Sequence, residues 1–254
     1  MTNPAWPTAA NIADFSYSKL SHFELFRDTP FRSYNVGDPD PAICDLKVYQ
    51  DYLVYCFIER NIPRGAKILE IGGGDSRVLK YFSKDYECWN ADKCEGLGNG
   101  PIQFTSSDYR IVYDYVGSFN RELPDHYFDF IFSISALEHT PEDQLVRTNV
   151  LQDLQRMLKP GHLSLHCFDA ILRSAEKSWV NGLIPYTYAS LPLITRLPPL
   201  EEIATNPDTY TMSPQAYTAN WQPITKLPAA EFGRCFSLNL CWTAPSGLTV
   251  PQRG

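Results

Sequence analysis

The chain has 254 residues, of which 44% are hydrophobic and 20% charged, and its formal net charge is -7. This length suits one domain with a sizeable core, and the negative charge argues against a nucleic-acid partner, because duplex binding normally needs a basic face. The longest apolar run, residues 52–58, is too short to cross a bilayer. Residues 1–15 lack the basic and apolar segments of a secretory signal, so we expect a cytoplasmic protein with a small or weakly charged partner.

Seven cysteines and five histidines are scattered along the chain. They form no CxxC or HExxH pattern, and an odd number of cysteines fits no closed disulfide framework. We therefore expect reduced thiols that mostly pack in the core, and no metal site.

The elements are predicted to form a single domain over residues 1–254. Residues 1–45 are rich in aromatic residues and prolines but have little periodicity, which indicates an N-terminal arm laid over the domain. From Leu46, apolar residues recur at spacings of three and four, so an amphipathic helix is predicted to end near Asn61.

Short apolar strands then alternate with helical segments, which is typical of an α/β fold with a doubly wound, mainly parallel sheet and helices on both faces. The predicted strands cover 67–71, 86–91, 111–116, 128–134, 163–168 and, late in the chain, 236–242, and a short helix covers 77–82.

One further helix has several boundary signals. Thr140 is predicted as its N-cap, with Pro141 at the first helical position and Asp143 as the acid of a capping box. Residues 159–161 are predicted to end it.

The later part of the chain has a different composition. Residues 182–230 are rich in proline and aromatic residues and are predicted to be an ordered insertion before a C-terminal strand and tail at 231–254. Two interpretations stay open for the insertion: a pocket or lid for a substrate, or a cover for a sheet edge or subunit contact.

The strongest local motif is ILEIGGGDS, residues 68–76, where an apolar strand runs into three glycines. Glycines let a backbone approach a ligand closely, and the carboxyl end of a first strand lies beside the point where such sheets bind ligands. The dinucleotide pattern GxGxxG would need a third glycine at position 77, where the chain has Arg77. The motif of hydride-transfer enzymes is therefore broken.

Glu70, Gly72 and Gly74 match the ExGxG turn of S-adenosylmethionine (SAM)-dependent methyltransferases, and two further segments, 115–140 and 156–166, also match. Over residues 46–170 the chain thus resembles the class I SAM-dependent methyltransferase family. The resemblance implies a Rossmann-like, seven-stranded fold and SAM as cofactor. The acceptor that it implies is a small molecule.

The resemblance also implies a cofactor site. An acid at the end of the second strand holds the ribose hydroxyls in this family, and Asp92 occupies that place. The implied cofactor-binding residues are Glu70, Gly72, Gly73, Gly74, Asp75, Asp92, Lys93, Gly117, Ser118, Phe119, Ser135 and Ala136.

One position departs from the family pattern. Members often have an acid after the third strand that meets the adenine amine, but Ser118 occupies this place here. Asp108 is a rival for that role, although the spacing of Gly117 and Ser118 fits the family better.

His139 follows the fourth strand and is the candidate general base, because a histidine can transfer protons near neutral pH. It could equally bond to backbone groups and shape the pocket. His166, at the end of the fifth strand, is a second candidate, with burial in the sheet as the alternative. Asp129 is expected to have a structural role, since it begins the fourth strand at the opposite edge.

Two other functions compete with methyl transfer. A spermidine synthase-like aminopropyltransferase also has a GGGD turn, and a non-catalytic scaffold could keep the fold without turnover. The SALEH and KPG segments favour methyl transfer. The residues leave the acceptor atom and the oligomeric state open.

Overall fold

A computed structural model describes residues 15–34, 36–96, 100–173, 178–191, 193–195 and 197–244. Its strands are β1 (Lys67–Ile71), β2 (Glu87–Ala91), β3 (Arg110–Val112), β4 (Phe128–Ile134), β5 (Leu158–Leu172), β6 (Ser178–Trp179) and β7 (Arg234–Thr243). Its helices are α1 (His22–Phe26), α2 (Leu46–Asn61), α3 (Arg77–Phe82), α4 (Gln144–Met157), α5 (Leu183–Ser190), α6 (Leu200–Thr205), α7 (Pro214–Asn220), α8 (Gln222–Thr225) and α9 (Ala229–Phe232), with one-turn 3-10 helices at Pro30–Tyr34 and Leu137–His139.

The strands of the described residues form one sheet, in which the direction of strand order reverses between β1 and β4. Five parallel strands lie in the order β3-β2-β1-β4-β5, and β6 and β7 pair antiparallel with β5, which makes seven strands. The chain moves outward from β1 on one side and from β4 on the other. A crevice forms at such a switch point, outside the carboxyl ends of β1 and β4. The predicted Rossmann-like α/β fold is confirmed.

Both faces of the sheet are covered, as parallel strands require. Ile68 and Phe130 face the core that contains α2, where the Phe57 and Phe130 rings stack with centroids 5.4 Å apart. Their neighbours Leu69 and Ile131 face the opposite core, which contains α4. Alternation along the strands therefore supplies two hydrophobic layers.

The predicted bounds are confirmed to the residue for α2, α3, β1 and β4, but the start of α4 was predicted wrongly. The helix begins at Gln144, because Asp143 is itself the N-cap and accepts hydrogen bonds from the N–H groups of Leu145 and Val146 at 2.8 and 3.0 Å. The Thr140 N–H instead closes the preceding one-turn helix. Asp143 satisfies two free helix N–H groups, so it fixes the start.

The second, third, fifth and last predicted strands and the end of α4 also differ from the prediction. The third strand ends at Val112 instead of residue 116, because the Asp114 carboxylate accepts the N–H of Tyr115 at 2.8 Å and turns the chain. Helix α4 ends at Met157, and the predicted stop at 159–161 lies inside the long strand β5.

Aromatic residues of the arm and of the 182–230 segment pack together over α2. The rings of Phe26 and Tyr52 stack at 5.4 Å, and those of Tyr49 and Tyr210 stack at 5.1 Å. Tyr210 also donates a hydrogen bond to the carbonyl oxygen of Cys44 at 2.7 Å. These tyrosines are part of the hydrophobic core. Of the two interpretations of the insertion, substrate pocket or cover, this packing supports the cover.

Among the described residues, no helix has the length and apolar character needed to cross a membrane. In the same part of the chain, no group of three or more His, Cys, Asp and Glu side chains is placed to hold a metal ion. All seven cysteines are buried free thiols.

His166 lies inside the sheet on β5 and is fully buried. Its two ring nitrogens lie 2.8 Å from Ser133 Oγ and 2.7 Å from Ser164 Oγ, and its ring stacks on Trp242 at 4.7 Å. Burial lowers the pKa of His166 to about 3. The ring is therefore a neutral structural group, and the alternative that placed it in the sheet is the one the structure supports.

We expect His166→Gln to reduce the acid sensitivity of the fold. The pKa of His166 is below its unfolded value of about 6.5, so the unfolded chain takes up a proton first and stability falls as pH drops through that value. The loss attributable to this residue is up to about 1.4 kcal/mol per pH unit. Urea unfolding between pH 7 and pH 4 measures it, and parallel curves for wild type and variant would refute it.

Candidate functional site

The glycine turn at the end of β1 fits tightly against two other loops. Gly72 and Gly74 have φ values of +69° and +51°, which favour glycine. A Cβ added at Gly72 would lie 2.6 Å from the Ala136 Cβ, and one added at Gly74 would lie 2.8 Å from the Pro101 Cδ. The turn therefore touches the loop after β4 and the loop after β2.

Glu70 supports the turn from beneath. Its carboxyl is buried, and a Cβ added at Gly73 would lie 2.6 Å from the Glu70 Cδ. Burial raises the pKa of Glu70 to about 8, against the effect of a hydrogen bond donated by the Ser76 hydroxyl. Ser76 also caps α3 by accepting the N–H of Leu79 at 3.0 Å. Glu70 thus joins the strand, the turn and the helix.

Side chains at the end of β2 hold the turn from the side. The Asn90 amide donates to the Gly74 carbonyl at 2.9 Å and accepts from the Gly73 N–H at 3.1 Å. The Asp92 carboxylate accepts the N–H groups of Gly74 and Cys94 at 2.8 and 2.7 Å, one on each oxygen. A carboxylate oxygen can accept two hydrogen bonds, so the half-buried Asp92 keeps acceptor capacity.

The turn after β3 is fastened to α4. The N–H groups of Gly117 and Phe119 donate to Asp153 Oδ2 at 2.7 and 3.2 Å. Asp153 is fully buried and also accepts a hydrogen bond from Arg156 Nε at 2.8 Å. Ser118, between the two bonded residues, is exposed.

Asp114 is an acid near this turn that the sequence analysis missed. Burial pushes its pKa up, but hydrogen bonds from the Tyr115 N–H, Ser118 and Asn120 and the charge of Lys93 leave the pKa lowered. It stands two residues after the observed end of β3. If the third strand had been predicted to end at Val112, Asp114 would have been recognised as the acid that follows it. Asp108, the rival considered from the sequence, is exposed.

The loop after β4 carries a polar cluster. Ser135 has a φ of +46°, and its Oγ lies 2.6 Å from Gln50 Oε1 and 2.8 Å from Asp169 Oδ1. Gln50 Nε2 donates to the same Asp169 oxygen at 3.0 Å. Because the neighbouring Ala136 touches the glycine turn, this cluster borders the crevice.

The one-turn helix after this loop has a buried acid beside an exposed histidine. His139 is exposed, whereas Glu138 is only 7% exposed and neither of its carboxyl oxygens has a hydrogen-bond partner among the described residues. Burial, and then the carboxyl of Asp169, raise the pKa of Glu138 well above its ordinary value. Sequence reasoning assigned no role to Glu138 or Asp169, although Asp169 interrupts the apolar stretch at the end of β5.

Asp129 lies at the amino edge of β4, away from the crevice. Its carboxylate accepts the Lys67 N–H at 2.9 Å and the Lys159 Nζ at 2.6 Å. These bonds join the starts of three neighbouring strands.

The structure therefore brings together most of the residues singled out from the sequence. Gly74 bonds to Asp92, and Gly72 contacts Ala136. Asp75 is exposed and pairs with Lys80, and His139 is also exposed.

The chain is similar to several known proteins. A family model described as a methyltransferase domain matches residues 69–165. A sterol 24-C-methyltransferase of Aspergillus fumigatus is 23% identical over an alignment of 175 residues, and the match covers 60% of this chain and 42% of that protein. The chain thus spans less than half the length of this curated relative.

The chain is also similar to solved structures. A TehB-like SAM-dependent methyltransferase from Corynebacterium glutamicum is 18% identical, with a TM-score of 0.45 and coverage of 87% of this chain and 97% of the other. A putative sarcosine dimethylglycine methyltransferase from Galdieria sulphuraria is 14% identical, with a TM-score of 0.48 and coverage of 90% and 100%.

The family match begins within β1 and ends within β5, so it contains the glycine turn and every loop at the central crevice described above. Residues 69–165 of this chain therefore match a methyltransferase domain over the part of the fold that contains the crevice.

Proposed function

We propose that this protein binds SAM and transfers its methyl group to a small-molecule acceptor. The observation that carries the proposal is the contact of the glycine turn with both Asp92 and Ala136 at the switch point of the sheet. The residues there fit the cofactor, because Gly72 and Gly73 leave half-buried backbone without side chains at the turn and Asp92 keeps free acceptor positions.

We propose a role in cofactor binding for each loop that borders the crevice. Asp92 would accept hydrogen bonds from the ribose hydroxyls, and Lys93 would lie beside the ribose. Asp114, Ser118 and Phe119 would meet the adenine, and Ser135 would lie with its loop along the amino-acid end. The four residues of the turn from Gly72 to Asp75 would border the cofactor, while Glu70 holds the turn in place.

Bound SAM supplies a methyl group on a positively charged sulfur, which an acceptor atom attacks in line. The chain must then align the acceptor, exclude water and accept a proton where the acceptor carries one. His139 is the proposed proton acceptor, and its exposure lets it pass the proton to solvent.

We also propose a domain organisation and a cellular location for this protein. We propose one domain over 1–254 with a core at 46–170, an arm at 1–45, an insertion at 182–230 and a C-terminal segment at 231–254. Residues 245–254 and 1–14 lie outside the described residues. We also propose a cytoplasmic protein without a nucleic-acid partner, given its net charge of -7. The family match favours methyl transfer over aminopropyl transfer.

We expect SAM at about 100 times its dissociation constant to stabilise the protein by roughly 2.7 kcal/mol. Asp92→Ala should weaken SAM affinity by about 10- to 100-fold, because it removes charge-assisted hydrogen bonds. Thermal unfolding and calorimetry measure both effects, with Asp85→Ala as the control, since Asp85 is an exposed acid before β2. No stabilisation by SAM would refute the proposed function.

Asp114→Asn should weaken SAM binding by about tenfold, because an amide is a poorer acceptor for the adenine amine than a carboxylate. Asp108→Asn is the matched control, since Asp108 is an exposed acid on the preceding loop. Equal affinity in both variants, measured by calorimetry, would remove Asp114 from the site.

His139→Ala should leave SAM affinity unchanged and lower turnover by about 10²- to 10⁴-fold if His139 takes the acceptor proton. Once a mass-spectrometric screen with a metabolite library has identified an acceptor, its methylation rate measures this effect. His162→Ala is the control, since His162 lies at the opposite edge near Asp129. An unchanged rate would exclude His139 as the base.

A further inference from the structure

Two carboxyl groups lie side by side where β4 ends and β5 continues past it. Ile134 of β4 pairs with Cys167, so Asp169 extends two residues beyond the last paired position. Glu138 follows on the one-turn helix from the same end of β4. Ser135 connects this place to the crevice, because it bonds to Asp169 while its neighbour Ala136 touches the glycine turn.

The two acids have different surroundings. Asp169 is half-buried, and Gln50 donates a hydrogen bond to its Oδ1, which also lies within reach of the Ser135 hydroxyl. Hydrogen bonds of this kind favour a charged carboxylate. Glu138 has no such bond within the described chain and is nine-tenths buried. Burial, and then the Asp169 carboxyl, raise the pKa of Glu138 well above its ordinary value, so Glu138 is the acid of the pair that favours the proton. Burial also raises the pKa of Asp169, but the hydrogen bonds from Ser135, Gln50 and Glu138 favour its charged form.

The negative charge has no close cationic partner. Lys47 of α2 favours the charged form of Asp169, but it is exposed and forms no ion pair with it. No ion pair of either acid occurs among the described residues. A half-buried carboxylate without a cation and a buried carboxyl without a donor are both costly, and a ligand with cationic N–H donors would compensate both.

We propose that Glu138 and Asp169 bind the amino group of the methyl acceptor, which enters as an ammonium ion, so that the acceptor is a primary or secondary amine. The ammonium ion would lose one proton to the proposed base His139, and the lone pair freed on its nitrogen would then take the methyl group while S-adenosylhomocysteine leaves. The inference rests on the proposed function, since it assumes that SAM lies against the neighbouring turn. An ammonium group fits because it carries up to three N–H donors and one positive charge. An alcohol of the same shape has one donor and no charge, so the site should discriminate against it.

The probes are matched pairs of amines and alcohols, tested on protein saturated with S-adenosylhomocysteine. The pairs are ethylamine with ethanol, benzylamine with benzyl alcohol, and phenethylamine with 2-phenylethanol. Binding is measured by thermal shift and calorimetry at pH 7.5. We expect at least one amine to bind ten times more tightly than its alcohol.

The variants are Glu138→Gln and Asp169→Asn, each alone, with Glu142→Gln as control. Glu142 is an exposed acid just after the same one-turn helix. Both test variants should lose at least tenfold in amine affinity and keep S-adenosylhomocysteine affinity within twofold, while the control keeps both. Glu138→Gln should fold at least as stably as wild type at pH 8, because the raised pKa of Glu138 makes the folded state lose stability as pH rises above about 4.5.

Three results would overturn the inference while leaving the proposed function intact. They are the absence of amine binding to the loaded protein, equal binding of alcohols, and unchanged amine affinity in both variants. A loss of S-adenosylhomocysteine affinity in both variants would assign the pair to the cofactor instead. Failure of the wild-type protein to bind SAM or S-adenosylhomocysteine at all would refute the proposed function itself.

Discussion

The absence of side chains between Ile71 and Asp75 is the constraint on which the rest of the crevice depends. Three neighbours fill the space where Cβ atoms would stand: the Glu70 carboxyl, Ala136 and Pro101. The turn is thus the meeting point of β1 with the loops after β4 and β2. Any larger residue would displace a loop that the proposed cofactor needs, so the glycines are required by packing even before a ligand arrives.

Polar side chains are concentrated at the carboxyl end of the sheet. They differ in how far hydrogen bonds compensate the free-energy cost of their burial. Asp92, Asp114 and Asp153 are all engaged by hydrogen bonds, so these acids hold backbone in place. Asp169 accepts a hydrogen bond from Gln50, but Glu138 has no donor among the described residues, and a buried carboxyl without one calls for an explanation such as a ligand. Glu138 thus differs from the acids that fix the crevice backbone, two of which, Asp92 and Asp114, are also proposed to bind the cofactor.

The sequence predicted those elements whose limits are set locally. Short, mainly apolar runs, followed by Gly72 after β1 and by Ser135 after β4, defined both strands to the residue. Prediction failed where two side chains competed for one role: Asp143 caps α4 in preference to Thr140, and Asp114 ends β3 early although the apolar alternation continues. The Glu138 and Asp169 pair could not be foreseen, because it depends on the β4–β5 register and on which side of a single helical turn faces inward.

Strand β7 has a consequence for the order in which this chain can complete its fold. It pairs with β5 along ten residues, and residues of the arm in turn bond to it, with the Ser18 N–H donating to the Ser237 carbonyl at 2.9 Å. The two ends of the described chain therefore close the same border of the sheet. During synthesis that border stays open until residue 243 has been made, leaving β5 with unpaired backbone groups that another chain could occupy. Slow translation or early termination near residue 230 would expose this edge to aggregation.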